Sequence, residues 1–576
     1  MAEKTTKNSS NFIKGALILA VANFVVKLIG AGFKIPLIGL IGDEGSGYFN
    51  VAYQIYTFMF IVATAGFPVA ISKMVSESMA KDNEGEARKI FKVAFVFLFV
   101  IGLLGTLIML VFADKLAIFV GIPGASMGIS IIAPAVFFVA MSSAYRGYFQ
   151  GRQNMYPTAF SEVIESSGKL IIGLVCAALF MRMAVDGSIG KAVDFAAGKI
   201  LDQHTQTIFA STGAIFGVTA GTFLACVLLT LIYIFSKKKK EQKVEKSRGN
   251  GEILKKLIMI AIPITIGASV SSLTTLIDMG TISHRLVVRP EVFERYAFMF
   301  KEGTEFFSKA IEAGWDNATI LTQKATTLYG MYTGKALTMF NLPLTLVVAL
   351  GTSVVPAISA AVARKEGSEA KTITESTLRI SMLFAAPCAF GMAALSREIL
   401  NLLFGTYNAY TVLSILAFAI IPVAVVQVTN SMLQAYGKVY IPVIHMVIGG
   451  IVKVLVNYFC IPYLGIDGAP VGTGVCYTII AVLNIRAIIK ASGIKINWND
   501  FLIKPIFAAL IMGAVGFVLS TFIPISKALC IIEIGICGIV YFASIILVKA
   551  LKKEDVLNLP KGEKLVAVLE KIKVFK

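Results

Sequence analysis

Five residues near the start of the chain pose the chemical question. Asn23, Lys27, Gly30, Ala31 and Lys34 recur at helical i, i+4, i+7, i+8 and i+11 spacing, so a helix puts them on one stripe. Their surroundings over 11–37 are apolar, and an ammonium group there is costly unless it faces a cavity or a partner. Lys27 falls near the middle of the stretch, too deep to reach its ends easily, whereas Lys34 lies nearer one end. Two positive charges on a face of small residues are what a cavity for an anion requires.

Other polar groups interrupt apolar stretches. Gln54 can donate to a polar ligand, and Lys335 can line a cavity or anchor its helix at an interface. Glu165 precedes Lys169 by one turn in the orientation that favours an ion pair, and Glu162 shares that face. The three form a structural pair or an ion-coupling group. Lys453 is placed like Lys169 in a later helix. Asp278 has no neighbour of opposite sign along its helix, which leaves a partner on another helix or an ion-coupling role open. His445, alone among the histidines in lying within an apolar stretch, is either a proton site or a hydrogen-bonded packing residue.

Several chemistries are disfavoured. The seven cysteines show no metal-ligand or redox spacing and read as small buried hydrophobes. Gly330-x-x-x-Gly334-Lys335 is one residue short of a phosphate loop, lacks the hydroxyl residue and opens an apolar stretch. With no nucleotide motif, no metal and no cofactor expected, energy must come from the ligand's gradient, the membrane potential or a coupling ion, H+ or Na+.

The elements that must hold these residues are membrane helices. The chain is 57% hydrophobic and 15% charged, too apolar for a soluble protein of 576 residues, and its mean hydropathy is +0.80. Apolar stretches predict about fourteen spans: 11–37, 47–75, 89–112, 126–150, 156–181, 211–236, 255–283, 329–362, 375–395, 409–434, 439–463, 468–489, 499–523 and 526–549. Basic residues gather in alternate connections, with Lys81, Arg88 and Lys89, then Arg146 and Arg152, then the run Lys237–Lys240, then Arg364, Lys365 and Lys371. This asymmetry puts both termini in the cytoplasm. Much of the net charge of +19 is therefore topology and contact with anionic lipid, not a nucleic-acid footprint.

The chain also repeats itself. At a shift of about 284 positions, Asp114 meets Glu398, Gly121 meets Gly405, Gln150 meets Gln434, Tyr156 meets Tyr440 and Lys169 meets Lys453. Six spans separate the copies, so both halves face the same way and an axis along the membrane normal relates them. The expected organisation is an N-lobe at 1–236, a basic cytoplasmic linker at 237–256 and a C-lobe at 257–490 with an outer loop at 285–328. Two further helices follow at 491–551, then a tail at 552–576. Trp315 and the other aromatics of 285–328 are expected at the interface or over the cleft. Repeated lobes imply a cleft that opens to either side, the property of a carrier.

Lys27-Leu28-Ile29-Gly30, the run Gly47-Tyr48-Phe49-Asn50-Val51-Ala52-Tyr53-Gln54-Ile55-Tyr56, Gly66-Phe67-Pro68-Val69-Ala70-Ile71-Ser72-Lys73 and Arg146-Gly147-Tyr148-Phe149-Gln150-Gly151 carry a resemblance. Through them the chain resembles the multidrug/oligosaccharidyl-lipid/polysaccharide exporter superfamily, in its stage V sporulation protein B-like and lipid II flippase-like branch. The resemblance implies an all-α polytopic, MATE-like fold in a bacterial cytoplasmic membrane, acting as a monomer and not as an enzyme. It implies a flippase that moves an undecaprenyl-pyrophosphate-linked precursor, a lipid-linked anionic glycan, by alternating access. Arginines of the first, second and eighth helices line a cationic cavity in such flippases. Lys27 matches the first, Gln54 and Tyr56 stand where the second is expected, and Lys335 is a loose substitute for the third. A cation-coupled multidrug antiporter is the alternative and would work through Glu162, Glu165 and Asp278. A membrane-embedded glycan polymerase or acyltransferase is a third class.

Overall fold

The computed structural model describes residues 2–81, 83–185, 202–236, 248–364 and 366–552. The run Lys237–Lys240, the insert at 186–201 and the tail from 553 lie outside the described residues. Everything described is helix or its connections. In chain order the helices are α1 Ala2–Thr64, α2 Phe67–Met79, α3 Glu84–Val111, α4 Ala113–Val120, α5 Ser126–Gly151 and α6 Tyr156–Val185. They continue as α7 Gln203–Ser236, α8 Asn250–Leu286, α9 Glu305–Glu312, α10 Asn317–Met331, α11 Leu337–Ala363 and α12 Gly367–Ala394. The last are α13 Ser396–Phe404, α14 Tyr410–Phe418, α15 Ile420–Ala435, α16 Tyr440–Leu464, α17 Gly468–Ser492, α18 Lys504–Phe522 and α19 Lys527–Leu547.

Among the described residues, ten helical stretches are long and apolar enough to cross a membrane, or eleven if α14 and α15, bent by 44°, form one crossing. Two of them, Val21–Met79 with 59 residues and Tyr440–Ser492 with 53, each cover two of the expected spans. Asn250–Leu286, at the place of the seventh expected span, is not among them. The loop expected between the first two spans shrinks to a kink. Gly42 takes φ 67° inside α1, a backbone conformation that a residue without Cβ adopts at little cost. Large apolar side chains such as Val96, Phe99, Val100, Leu103 and Leu104 lie exposed along α3. Such a belt is ruinous in water and ordinary in lipid.

The chain forms two compact units, Met1–Gly330 and Met331–Lys576. In the first, Phe67, Ile71 and Met74 of α2, Ile90, Phe91 and Leu98 of α3 and Tyr145, Tyr148 and Phe149 of α5 share one core. Gly213, Gly217 and Gly221 of α7 face α6 so closely that a Cβ at Gly217 would collide with the Gly173 backbone. This is the close packing that small residues permit between membrane helices.

The repeat is visible in backbone detail. α4 ends at Gly121 and α13 at Gly405, both left-handed, with φ 83° and 68°. The turns after α5 and α15 also match, since Gln153 and Gly437 both take positive φ, 59° and 74°.

Candidate functional site

The residues with chemistry in the first unit lie mostly where α1 packs against α6. Tyr53 follows Phe49 by one turn of α1, and their rings stack at 5.8 Å. Phe33, across the Gly42 kink, tilts against Phe49 at 5.7 Å. Lys169 of α6 reaches into this cradle. Its ammonium sits 4.0 Å from the centre of the Tyr53 ring, 5.3 Å from Phe33 and 6.0 Å from Phe49. The negative ring faces hold the cation while leaving its charge unneutralised.

Lys34 approaches from the adjoining turn of α1. Its Nζ donates to Asn50 Oδ1 at 3.3 Å. The Asn50 amide is oriented for this, because its Nδ2 donates to the Ser46 carbonyl at 2.7 Å and to Ser46 Oγ at 3.0 Å. Lys34 and Lys169 stand within electrostatic reach of each other. Two like charges drawn together on facing helices create a positive field that a doubly charged anion can relieve.

One expected ion pair is replaced by another. Glu165 Oε2 accepts from Arg146 Nη2 of α5 at 2.8 Å, while Lys169 turns to the aromatic rings. The reason is geometric. The short connection between α5 and α6 turns the chain near residue 153, so Arg146 lies level with Ser161. Its planar fork binds both Ser161 Oγ, at 3.1 Å, and Glu165. Arg146 therefore belongs to a half-buried cluster within α5, not to a basic connection. Tyr56 lies within reach of both partners. Glu162, one turn before Glu165, has Oε2 buried without a hydrogen-bond partner.

A second polar group closes one end of the unit. Glu44 accepts from His204 Nδ1 at 2.6 Å, Tyr48 Oη at 3.0 Å and Lys309 Nζ at 3.3 Å. The same Tyr48 hydroxyl lies 2.6 Å from Gln323 Oε1, so its one hydrogen is shared between two acceptors. Burial alone would lower the Lys309 pKa, but the Glu44 and Glu305 carboxylates outweigh it and hold the ammonium above its ordinary value. The segment following α8 is thus tied to α1 and α7, and Trp315 sits edge-on to His204 at 4.9 Å and to Phe306 at 5.5 Å.

Lys27 and Asn23 are exposed, and among the described residues Lys27 has no carboxylate partner. Gln54 is half-buried and Asp278 is buried in α8. In the second unit, Lys335 is buried in a π-helical turn, Tyr332–Ala336, and its Nζ donates to Thr406 Oγ1 and Asn408 Oδ1, both at 2.9 Å. Gly330–Lys335 is accordingly helical, with no open phosphate loop. His445 Nδ1 meets Asn484 Oδ1 at 2.7 Å, and the Asn484 amide donates onward to Thr429 and Asn430. Lys453 is half-buried in α16.

Sequence reasoning did not find the aromatic cradle or the role of Arg146. Both had a signal. Phe49 and Tyr53 share a face at i, i+4, and a helical hairpin turning near 153 pairs 146 with 161 by simple counting.

Comparison with known proteins agrees with this architecture. A family model described as "Polysaccharide biosynthesis protein" matches residues 12–193, and one described as "Lipid II flippase MurJ" matches 318–532. Stage V sporulation protein B of Bacillus subtilis (strain 168) is 22% identical over 558 residues, covering 95% of this chain and 98% of that protein. Lipid II flippase MurJ of the same organism is 24% identical over 486 residues, 81% of each chain. Among solved structures, lipid II flippase MurJ in an inward closed conformation superposes with TM-score 0.62 at 15% identity, covering 92% of this chain and 98% of that one. An inward-facing MATE family multidrug resistance transporter of the MOP superfamily gives TM-score 0.60 at 13% identity, covering 82% and 98%. At such identities the structural likeness shows the fold.

Proposed function

We propose that this chain is a member of the multidrug/oligosaccharidyl-lipid/polysaccharide exporter superfamily, a reading supported by its family-model matches and relatives, and that it is a flippase for a lipid-linked anionic cell-wall precursor. The substrate is an undecaprenyl-pyrophosphate-linked glycan, lipid II or a related polysaccharide unit, moved between leaflets of the bacterial cytoplasmic membrane. Both termini face the cytoplasm.

The observation that carries this reading is the convergence of Lys34 and Lys169 on the facing sides of α1 and α6. A pyrophosphate head cannot cross hydrocarbon unshielded. Two ammonium groups, one oriented by Asn50 and one held by ring faces, offer it compensating charge in a partly buried place. Lysines act as point charges and demand less geometric precision than arginine forks, which suits a ligand that must leave as readily as it enters. Names of relatives point the same way: a lipid II flippase and a sporulation protein align with most of the chain. Coupling is to H+ or Na+ taken up at a carboxyl group, and Glu162, with its unpartnered Oε2 beside the Arg146–Glu165 pair, is the candidate in this unit.

The test is complementation. A strain depleted of its own lipid-linked-precursor flippases is supplied with the wild-type chain or with Lys34→Gln/Lys169→Gln. The wild-type chain should clear the precursor from the inner leaflet, and the double variant should let it accumulate despite normal membrane levels. Full clearance by the double variant would remove the lysine pair from the mechanism. Failure of the wild-type chain to clear any such precursor would remove the substrate assignment.

A further inference from the structure

Asp114 and Glu398 hold the same place in the two copies of the repeat. Each stands in the first turn of a short helix that ends at a left-handed glycine. Their surroundings differ. Asp114 is exposed, whereas Glu398 is only 3% exposed.

The cover comes from α18 and α19, which follow the second copy and have no counterpart after the first. α13 packs against α19. Leu395 and Ile399, on either side of Glu398, join Met512, Cys537, Val540 and Tyr541 in one apolar cluster. A Cβ at Gly516 of α18 would lie 3.1 Å from Cys537 Sγ and 3.3 Å from Ala394 Cβ, so three helices converge there. Into this apolar junction α19 carries a second acid, Glu533, only 1% exposed.

Both carboxyl groups have Oε2 buried with no hydrogen-bond partner, and they lie within electrostatic reach of each other. The groups that face them are few. Arg397 is exposed and stacks on the Tyr410 ring at 4.3 Å. Cys530 and Cys537 are buried thiols of α19. Tyr541 gives its hydroxyl to the Leu383 carbonyl at 2.7 Å and lies beside Cys388. Among the described residues neither carboxyl group has a cation at ion-pair distance.

Two carboxylates cannot both remain charged in such a place, because desolvation and mutual repulsion act together. One proton between them removes a charge and turns an orphaned acceptor into a donor. A sodium ion needs more oxygen ligands than this, and no group of three or more His, Cys, Asp or Glu side chains that could hold a metal exists among the described residues.

We propose that Glu398 and Glu533 form a proton-binding site, a carboxyl–carboxylate pair in the terminal helices that holds one proton and exchanges it with the medium. The site lies wholly within the second unit and does not depend on the identity of the transported lipid.

The test uses the full chain in lipid nanodiscs and follows the infrared carbonyl band of protonated carboxyl groups as pH is varied. Wild-type protein should show a band that persists above the pH at which ordinary carboxyl groups have ionised. In a Glu162→Gln background, which removes the other candidate proton acceptor, Glu398→Gln/Glu533→Gln should lose it, and Asp114→Asn should keep it. Each single variant should shift the titration midpoint by about one pH unit, about tenfold in proton affinity, because its partner anion is gone. These single variants remain informative if the double variant misfolds. A band that survives in the double variant, or midpoints unmoved in both single variants, overturns the pair. A wild-type midpoint that moves with sodium at constant ionic strength overturns the proton as its ligand.

Discussion

Two regions of the molecule treat buried acids in opposite ways: the clusters around Glu44 and Glu165 in the first unit, and the junction of α13 with α19 in the second. In the first region, Glu165 is answered by Arg146 and Glu44 by His204, Tyr48 and Lys309, so these two carboxylates are neutralised or hydrogen-bonded where they stand. In the second region, Glu398 and Glu533 lie within electrostatic reach of each other, with no cation at ion-pair distance among the described residues. The first arrangement favours fixed charge and a fixed structure. The second can change its charge by one proton without moving a helix. The first copy of the repeat thus carries fixed charge, and the second forms a titratable pair only together with the terminal helices that follow it.

This contrast can be broken most forcefully at the helix contact that supports the cradle. Gly217→Leu should destabilise the protein by about 3 kcal/mol or more, since its side chain has no space against Gly173. In the second copy, Gly474→Ala should be neutral within about 0.5 kcal/mol, because nothing lies near its missing Cβ. Thermal unfolding of the two purified variants measures the difference, and equal midpoints would show that the α6–α7 contact does not limit stability.

Next comes the capping network. Glu44→Gln takes the charged acceptor from His204, Tyr48 and Lys309 together, and should cost about 2–3 kcal/mol. It should also speed proteolysis between 287 and 316. An unchanged cleavage rate would show that Glu44 does not hold that segment.

The Arg146–Glu165 pair should be coupled by about 1–2 kcal/mol, less than a fully buried pair because Glu165 keeps 28% of its side-chain exposure. A double-mutant cycle with Arg146→Gln and Glu165→Gln measures it, and additive losses would mean no pair.

The smallest effect has the clearest sign. Burial pushes the Glu398 carboxyl above its ordinary value, against the smaller pull of its own backbone amide and of Arg397. An acid whose folded pKa is raised gives stability that is full below the ordinary carboxyl range and is lost as pH rises through the raised value. Wild-type thermal stability should therefore fall between acid and neutral pH, and Glu398→Gln should flatten that fall. Asp114→Asn, exposed in the other copy, should leave the profile unchanged.

Much of the fold was legible in the sequence because lipid imposes a strong rule: each span must be apolar for about twenty residues and satisfy its own backbone. The helices, the repeat and the glycine row of α7 follow from that rule and from spacing. The number of separate helices was less legible, because Gly42 lets two spans run on as one kinked helix. The candidate site was legible in part. Lys34 and Lys169 were visible as lysines in apolar surroundings, but their meeting was not, since they come from helices far apart in the chain.

The sequence by itself determined which residues are charged and how deep along a helix each stands, because hydropathy and helical periodicity are local properties. Tertiary structure alone decided their partners. Glu165 lies one turn from Lys169, yet the fork of Arg146 can bind it and Ser161 at once, and that choice needs three dimensions. Asp114 and Glu398 are equals in the repeat, and only the packing of α19 over one of them makes it a buried acid. Ionisation depends on what surrounds a group in space, and packing supplies those surroundings from distant parts of the chain.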